Sequence, residues 1–139
     1  MTEKFYPVAE KMIKNAETRL GISFPSELVS FYKLFGYGFL PSQCENINRI
    51  MDPLSIADYI EQKSEYKAYP GVKSFSFDST KLPFFEVELG LIFCIEINDD
   101  LQQHIYFENT VIADSLAEFL EKYMNDEHYY IEIVKNNTK

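Results

Sequence analysis

The chain has little cysteine, no tryptophan and no long apolar run. Its 139 residues contain two cysteines, Cys44 and Cys94, which form no C-x-x-C motif. A structural disulfide or thiolate metal site is therefore not expected, and we predict two buried, reduced thiols. No stretch approaches the roughly 18 apolar residues of a membrane-spanning helix, and no signal peptide is recognisable. We predict a cytoplasmic protein that does not contact a membrane.

Basic residues are scarce in the last part of the chain. Residues 1–85 hold ten acids and ten bases, whereas residues 86–139 hold twelve acids and three bases, so the net charge of −9 falls in the second stretch. Nucleic acid requires clustered Lys and Arg for its phosphates, so we predict no direct nucleic-acid binding. A field of one sign attracts partners of opposite charge. We predict a basic protein partner; the alternative is a merely solvated acidic surface.

The composition predicts one domain with a dense core. Hydrophobic residues make up 46% of the chain and aromatic residues 16%, which suits a single core at this length. The periodicity predicts an α+β fold in which helices pack on an antiparallel sheet and a C-terminal helix follows the sheet. The predicted segments are N-terminal helices in residues 1–36, a sheet in 72–113, a helix in 115–125 and a tail in 129–139.

Three helices are predicted before the sheet. Apolar side chains recur every three or four positions in residues 5–20, which is typical of an amphipathic helix, and Gly21 ends it. Pro25 suits the first turn of a second helix. Ser55, with Asp58 three residues later, resembles a capping box that begins the third. The buried stripe predicted for the second helix consists of Leu28, Phe31, Tyr32 and Phe35.

The middle of the chain changes from helical to alternating periodicity. Apolar residues occupy every second position at Phe75 and Phe77 and in later stretches, as in strands with one buried face. Ser115 and Glu118 form a full capping box that predicts the start of a helix. The tail from Tyr129 is either an added strand or a continuation of that helix. The later alternating residues are Leu89, Leu91, Phe93, Ile95, Ile97, Ile105 and Phe107.

Two pairs of carboxylates are the main candidates for metal or acid–base chemistry. Glu86 and Glu88 lie two apart and would share a strand face, and Asp99 and Asp100 lie in a predicted turn. No third ligand or base stands at a fixed spacing, and turns favour Asp for its local hydrogen bonds. The two histidines have no metal-ligand spacing, and there is no G-x-S-x-G motif. We predict no catalytic residue, metal or cofactor.

A tyrosine in the acidic stretch is the remaining candidate for binding. Tyr106 alternates with Ile105 and Phe107, so it should face away from their core side together with His104 and Glu108. Tyr among carboxylates is typical of an interface that meets Arg or Lys. The candidate partner-binding residues are Glu86, Glu88, Asp99, Asp100, Tyr106 and Glu108.

Short motifs spread over nearly the whole chain carry a family resemblance. The first helix is followed by Gly-Ile-Ser-Phe-Pro, the second by Gly-x-Gly, and the sheet by Ile-Ala-Asp-Ser-Leu-Ala-Glu-Phe-Leu. In this order and spacing, the chain resembles the SUKH superfamily, a group named partly after a yeast regulator of cell-wall glucan synthesis. The matching residues are Glu17, Leu20, Gly21, Phe24, Pro25, Leu28, Phe31, Tyr32, Leu82, Pro83, Phe84, Phe85, Ile112, Ala113, Asp114, Ser115, Phe119 and Leu120.

The resemblance implies a fold and a function. It implies helices on an antiparallel sheet, with no catalytic residue to carry over. Bacterial members resemble immunity proteins that bind and neutralise polymorphic toxins, often nucleases. Together with the charge distribution, this predicts a basic toxin domain as the partner, and we predict a monomer or weak homodimer. It also allows a non-catalytic scaffold or regulatory domain in cell-wall or stress signalling. A small hydrolytic or metal enzyme is a third hypothesis, which rests only on the carboxylate pairs.

Overall fold

The computed structural model describes residues 4–63, 80–88, 90–98 and 103–137. Within these residues the chain forms an α+β domain of five helices and seven strands, which confirms the predicted fold class. The helices are α1 (Glu10–Leu20), α2 (Ser26–Leu34), α3 (Pro53–Glu61), α4 (Leu116–Asn125) and α5 (Tyr129–Asn137). The strands are β1 (Lys4–Tyr6), β2 (Tyr37–Phe39), β3 (Arg49–Ile50), β4 (Lys81–Glu88), β5 (Leu91–Glu96), β6 (Ile105–Phe107) and β7 (Thr110–Ala113).

The described strands form one antiparallel sheet, and each strand pairs with the next along the chain. Strands β4 to β7 lie within the predicted range 72–113, whereas β1, β2 and β3 come from residues 4–50. Strands β1 and β2 have three residues each and are too short to show an alternating pattern, whereas β3 lies where the sequence of residues 47–50 predicts a short strand. The strand predicted at Phe75 and Phe77 lies outside the described residues.

Two helices begin at other positions than predicted. Helix α1 begins at Glu10, because residues 4–6 pair with β2, and it ends as predicted at Gly21, whose φ is 69°. Helix α3 has Asp52 as its N-cap, and the Asp52 carboxylate accepts a hydrogen bond from the Ser55 backbone N–H. The cap predicted at Ser55 is therefore wrong. The Asp-Pro pair is the better signal, since Asp favours the cap and Pro the first helical position.

The predicted start of α4 is confirmed, and the tail forms a helix. Ser115 Oγ accepts a hydrogen bond from the Glu118 N–H at 3.0 Å, while the Glu118 carboxylate accepts one from the Asp114 N–H at 3.0 Å. The reciprocal bond of the capping box thus reaches one residue further than usual. Helix α5 is separate from α4, and its Tyr129 hydroxyl donates to the Ile112 carbonyl oxygen at 2.6 Å. That bond ties α5 to β7.

Aromatic side chains fill the space between the sheet and the two C-terminal helices. Phe85 and Phe93, on adjacent strands, stack with 5.9 Å between ring centroids. Phe119 and Tyr123 of α4 meet both rings edge-on, and Tyr130 of α5 meets Phe93 at 4.9 Å. Edge-on and offset pairs contribute about 1 kcal/mol each beyond their buried area. This cluster holds α4 and α5 on one face of the sheet.

Helix α3 lies on the opposite face of the sheet. Arg49 of β3 is paired with Glu86 of β4, and its Nη1 lies 3.8 Å from the Glu86 carboxylate. Arg49 Nη2 donates to the Asp52 carboxylate and to the Ser55 hydroxyl, both at 2.6 Å. Glu86 follows Phe85, which faces the aromatic cluster, so the Glu86 carboxylate and its arginine point to the other face. One arginine thus joins the start of α3 to two strands.

Strands β1 and β2 approach each other closely at a glycine. Gly36 has a φ of 92°, and a Cβ added to it would overlap the carbonyl oxygen of Tyr6. Gly38 is similar, because a Cβ there would overlap the carbonyl oxygen of Lys4. The Gly-x-Gly motif therefore has two roles: it turns the chain after α2, and its lack of side chains lets the edge strand β1 pack against this segment.

Candidate partner-binding surface

The predicted pair of glutamates on β4 occupies two different environments. A β-bulge lies between Glu86 and Glu88. Glu86 is only 4% exposed and forms the internal ion pair with Arg49, whereas Glu88 is exposed. Burial of an unpaired carboxylate would cost several kcal/mol, so the arginine explains how Glu86 is tolerated there. Of the two, only Glu88 is presented to solvent.

Tyr106 lies on the face opposite to Phe107, as the alternation predicts, but its nearest charge is positive. Lys81 Nζ lies 4.4 Å from the centroid of the Tyr106 ring, and the same nitrogen is 3.3 Å from the Asn109 side-chain oxygen. The Phe107 ring instead packs against the aromatic cluster through Tyr130. Tyr106 is half-buried, and this burial raises the pKa of its hydroxyl. The tyrosine therefore already has a cationic neighbour within its own domain.

The sheet register brings two predicted acids to one end of the sheet. Glu88 is paired with Leu91, and Tyr106 is paired with Cys94. Glu108, two residues after Tyr106, therefore reaches the same end of the sheet as Glu88. Glu108 is exposed in the turn between β6 and β7, with a φ of 54°. Asp99 and Asp100 lie outside the described residues.

Most of the other exposed acids of the C-terminal stretch lie on or beside α4 and α5. Four of these acids are exposed, and one more is half-buried. Lys122 and Lys135 are the basic residues on the two helices. The acids are Asp114, Glu118, Glu121, Asp126 and Glu132.

An imidazole on the sheet is paired with a carboxylate. His104 Nδ1 lies 2.8 Å from Glu96 Oε1, and His104 Nε2 lies 3.8 Å from Asp114 Oδ1. The hydrogen bond with Glu96 raises the pKa of His104, and it lowers the pKa of Glu96. These residues form a hydrogen-bonded pair at the surface, which carries both charges when the imidazole is protonated.

A buried carboxylate that the sequence does not reveal holds a loop in place. Glu127, between α4 and α5, accepts hydrogen bonds from the Gln43 N–H at 2.5 Å and the Ser42 hydroxyl at 2.8 Å. The side-chain amides of Asn46 and Asn48 each donate to it at 3.0 Å. Burial alone would raise the pKa of Glu127, but these hydrogen bonds outweigh it and lower the pKa to about 2. Glu127 is therefore structural.

The cysteines differ from their predicted burial. Cys44 is exposed, Cys94 is half-buried, and neither forms a disulfide. The prediction of two buried thiols is thus wrong for Cys44, which belongs to the loop held by Glu127. Cys44 Sγ lies 3.5 Å from His128 Nε2, although the two are far apart in sequence. Among the described residues, no group of three or more His, Cys, Asp or Glu side chains could hold a metal ion.

The apolar stripe of α2 is wider than the core requires. Leu28 and Tyr32 are buried as predicted, but Phe31 is only half-buried and Phe35 is 56% exposed. The prediction that Phe35 is a core residue is therefore wrong. Helical periodicity identifies an apolar face, but it does not say whether another element of the same chain covers all of it.

Comparison with known proteins identifies relatives of the chain. Residues 7–122 match the family described as SMI1 / KNR4 family (SUKH-1). The chain is also 38% identical over 131 residues to the immunity protein YxxD of Bacillus subtilis (strain 168), covering 94% of this chain and 89% of that protein. No solved structure matches the chain significantly. None of the described helices is long and apolar enough to cross a membrane.

Proposed function

The chain belongs to the SMI1 / KNR4 family (SUKH-1), and from this membership we propose that it is an immunity protein, which binds a toxin and neutralises it stoichiometrically. The observation that carries the proposal is the similarity to a Bacillus immunity protein over 94% of the chain. Neutralisation by binding requires no bond to be made or broken, so the protein needs no catalytic group. It acts in the cytoplasm, where it meets the toxin before the toxin reaches its target.

The charge distribution supports a basic toxin domain as the partner. All of the net charge of −9 is carried by residues 86–139, and the exposed acids include Glu88 and Glu108 at one end of the sheet. Carboxylates of this kind pair with Arg and Lys and speed the encounter of the two proteins at low salt. The toxin uses such basic residues to hold an anionic substrate, as a nuclease does. An interface of standard size, roughly 1,600 Å², is sufficient.

The proposed contact residues follow from exposure. Glu88, Glu108 and the half-buried Tyr106 belong to the contact surface, and Asp99 and Asp100 remain predicted contacts. Glu86 is left out, because its burial beside Arg49 withdraws it from a partner. Binding over the toxin's active site and binding beside it both neutralise the toxin, since either can exclude the substrate.

Co-expression with the toxin encoded beside this chain tests the proposal. We expect the cells to survive and the two proteins to elute together in gel filtration, with binding that weakens as salt is added. Glu88→Lys combined with Glu108→Lys should weaken the complex. The matched control is Glu10→Lys with Glu45→Lys, which reverses two exposed acids in the first half of the chain. Cell death with no complex at any salt concentration would refute the immunity function; a complex with an endogenous protein would favour the regulatory alternative.

A further inference from the structure

Helices α2 and α4 carry more apolar surface than the core covers, and the surplus of each helix faces the other. In α4, Leu116, Phe119 and Tyr123 are buried, whereas Met124 is 52% exposed. In α2, Leu34 is 76% exposed. We call the space between them the α2–α4 groove; it is lined by Phe5, Phe31, Leu34, Phe35, Leu120 and Met124.

The groove consists of two neighbouring cavities between the helices, and the start of α2 lies beside the start of α4. Its first part, of about 330 Å³, begins where the start of α2 meets the start of α4, and its second part, of about 190 Å³, ends at Met124. The two parts share Phe31, Phe35 and Leu120. The Glu27 carboxylate accepts a hydrogen bond from the Leu116 N–H at 3.3 Å, which fixes the two helix starts relative to each other.

Exposed apolar side chains that gather in one place usually mark an interaction site. Grooves between helices commonly receive an amphipathic helix of a partner through residues spaced three and four apart. Helix α4 is ten residues long, about 15 Å, so the groove has room for roughly three turns of such a helix. An isolated exposed Leu needs no explanation, but here Leu34, Phe35 and Met124 border the same groove.

The charge of helix α4, whose apolar residues form one wall of the groove, distinguishes between possible occupants. Helix α4 and its two ends carry Asp114, Glu118, Glu121 and Asp126 against the single base Lys122. A second copy of this chain would bring its own net charge of −9 to that helix, which disfavours self-association. A segment with Lys or Arg beside its apolar residues would be attracted instead.

We propose that the α2–α4 groove receives an apolar ridge of the toxin, flanked by Lys or Arg side chains that meet the acids of α4. This inference rests on the proposed immunity function and extends the interface beyond the end of the sheet. The apolar ridge supplies affinity through burial of its side chains, and the acids of α4 supply orientation and speed of association.

The test uses neutral substitutions, so that charge does not change. Leu34→Gln combined with Met124→Gln makes two exposed residues of the apolar lining polar while keeping good helix formers at both positions. Leu54→Gln is the matched control, because Leu54 is 55% exposed on α3 and does not line the groove. We expect the double variant to bind the toxin encoded beside this chain at least about tenfold more weakly in calorimetry, and the control to bind like the wild type. Circular dichroism should show that all variants are folded.

The outcomes separate this inference from the proposed function. If the wild type protects cells and the groove variant binds the toxin as tightly as Leu54→Gln does, the groove assignment is wrong while the immunity function stands. If the wild type binds no toxin at all, the immunity function fails and the groove assignment fails with it. Light scattering adds a third outcome: a wild-type dimer that Leu34→Gln dissociates, with toxin affinity unchanged, would assign the groove to a second copy and overturn the proposal.

Discussion

Replacing Glu127 by Gln should destabilise the protein, because this carboxylate accepts four hydrogen bonds from the loop of residues 42–48 and so joins that loop to the turn between α4 and α5. Its pKa is lowered from 4.5 to about 2 by four donated hydrogen bonds. That difference corresponds to about 3 kcal/mol of folding free energy at pH 7. Gln has the same shape, but its amide NH₂ would face the Gln43 N–H, and one buried donor without an acceptor costs about 1–3 kcal/mol.

The pH dependence of this effect has a defined sign. The folded pKa of Glu127 lies below the unfolded value, so its contribution is complete above about pH 4.5 and is lost as the pH falls through about 2. At pH 3, about 2 kcal/mol of the contribution should already be gone. The difference in stability between the wild type and Glu127→Gln should therefore shrink by about 2 kcal/mol between pH 7 and pH 3.

Urea unfolding followed by circular dichroism measures this difference at both pH values. Glu132→Gln is the matched control, because it removes the same charge from an exposed position on α5. We expect the control to unfold close to the wild type at both values. Equal unfolding free energies for the wild type and Glu127→Gln at pH 7, or a difference that stays constant down to pH 3, would refute the reasoning.

Two further predictions concern the edge strand and the imidazole. Gly36→Ala should destabilise the protein by at least about 2 kcal/mol, because a Cβ at a φ of 92° overlaps the Tyr6 carbonyl oxygen; thermal unfolding measures this, and an unchanged Tm would contradict it. The pKa of His104 is raised by its bond to Glu96, so the charged pair stabilises the fold fully below pH 6.5, and this contribution is lost as the pH rises through the raised pKa. Proton NMR should show a lower His104 pKa in Glu96→Gln, and an unchanged titration would show that the carboxylate is not its cause.

Several parts of the fold follow from local signals in the sequence. The capping box at Ser115 predicts the start of α4, because an N-cap and the residue three positions later satisfy helix N–H groups that otherwise lack partners. Gly21 ends α1 in the left-handed conformation for a similarly local reason. The SUKH resemblance, which combines such motifs in a fixed order, is confirmed by the family match over residues 7–122.

Other parts depend on contacts between distant residues. The residues of β1 belong to the apolar pattern that predicts a helix. They form a strand instead, because they pair with β2 and because Gly36 has no side chain to block their approach. The sequence of the tail is compatible with either a strand or a helix. In the fold it forms helix α5, whose Tyr129 hydroxyl donates a hydrogen bond to the Ile112 carbonyl oxygen. Propensity is too weak in such short segments to outweigh tertiary pairing.

In the candidate surface, too, some residues follow local signals in the sequence and others depend on contacts with distant residues. Alternation correctly separates Tyr106 from Phe107, but Glu86 and Glu88 have the same spacing and the same chemistry, and only a bulge and Arg49 make one buried and the other exposed. The environment of a carboxylate depends on which cation folds next to it, and that cation lies 37 positions away in the chain.

Periodicity, caps and net charge are properties of neighbouring residues or of simple sums, so the order of amino acids is enough to indicate the fold class and the family, and it predicts a basic partner. Packing of distant segments, by contrast, buries Glu127 against its loop, makes Glu86 internal, and brings the surplus apolar residues of α2 and α4 together in one groove. Each of these depends on which surfaces are left uncovered once distant segments have packed, and burial of that kind is a property of the assembled domain.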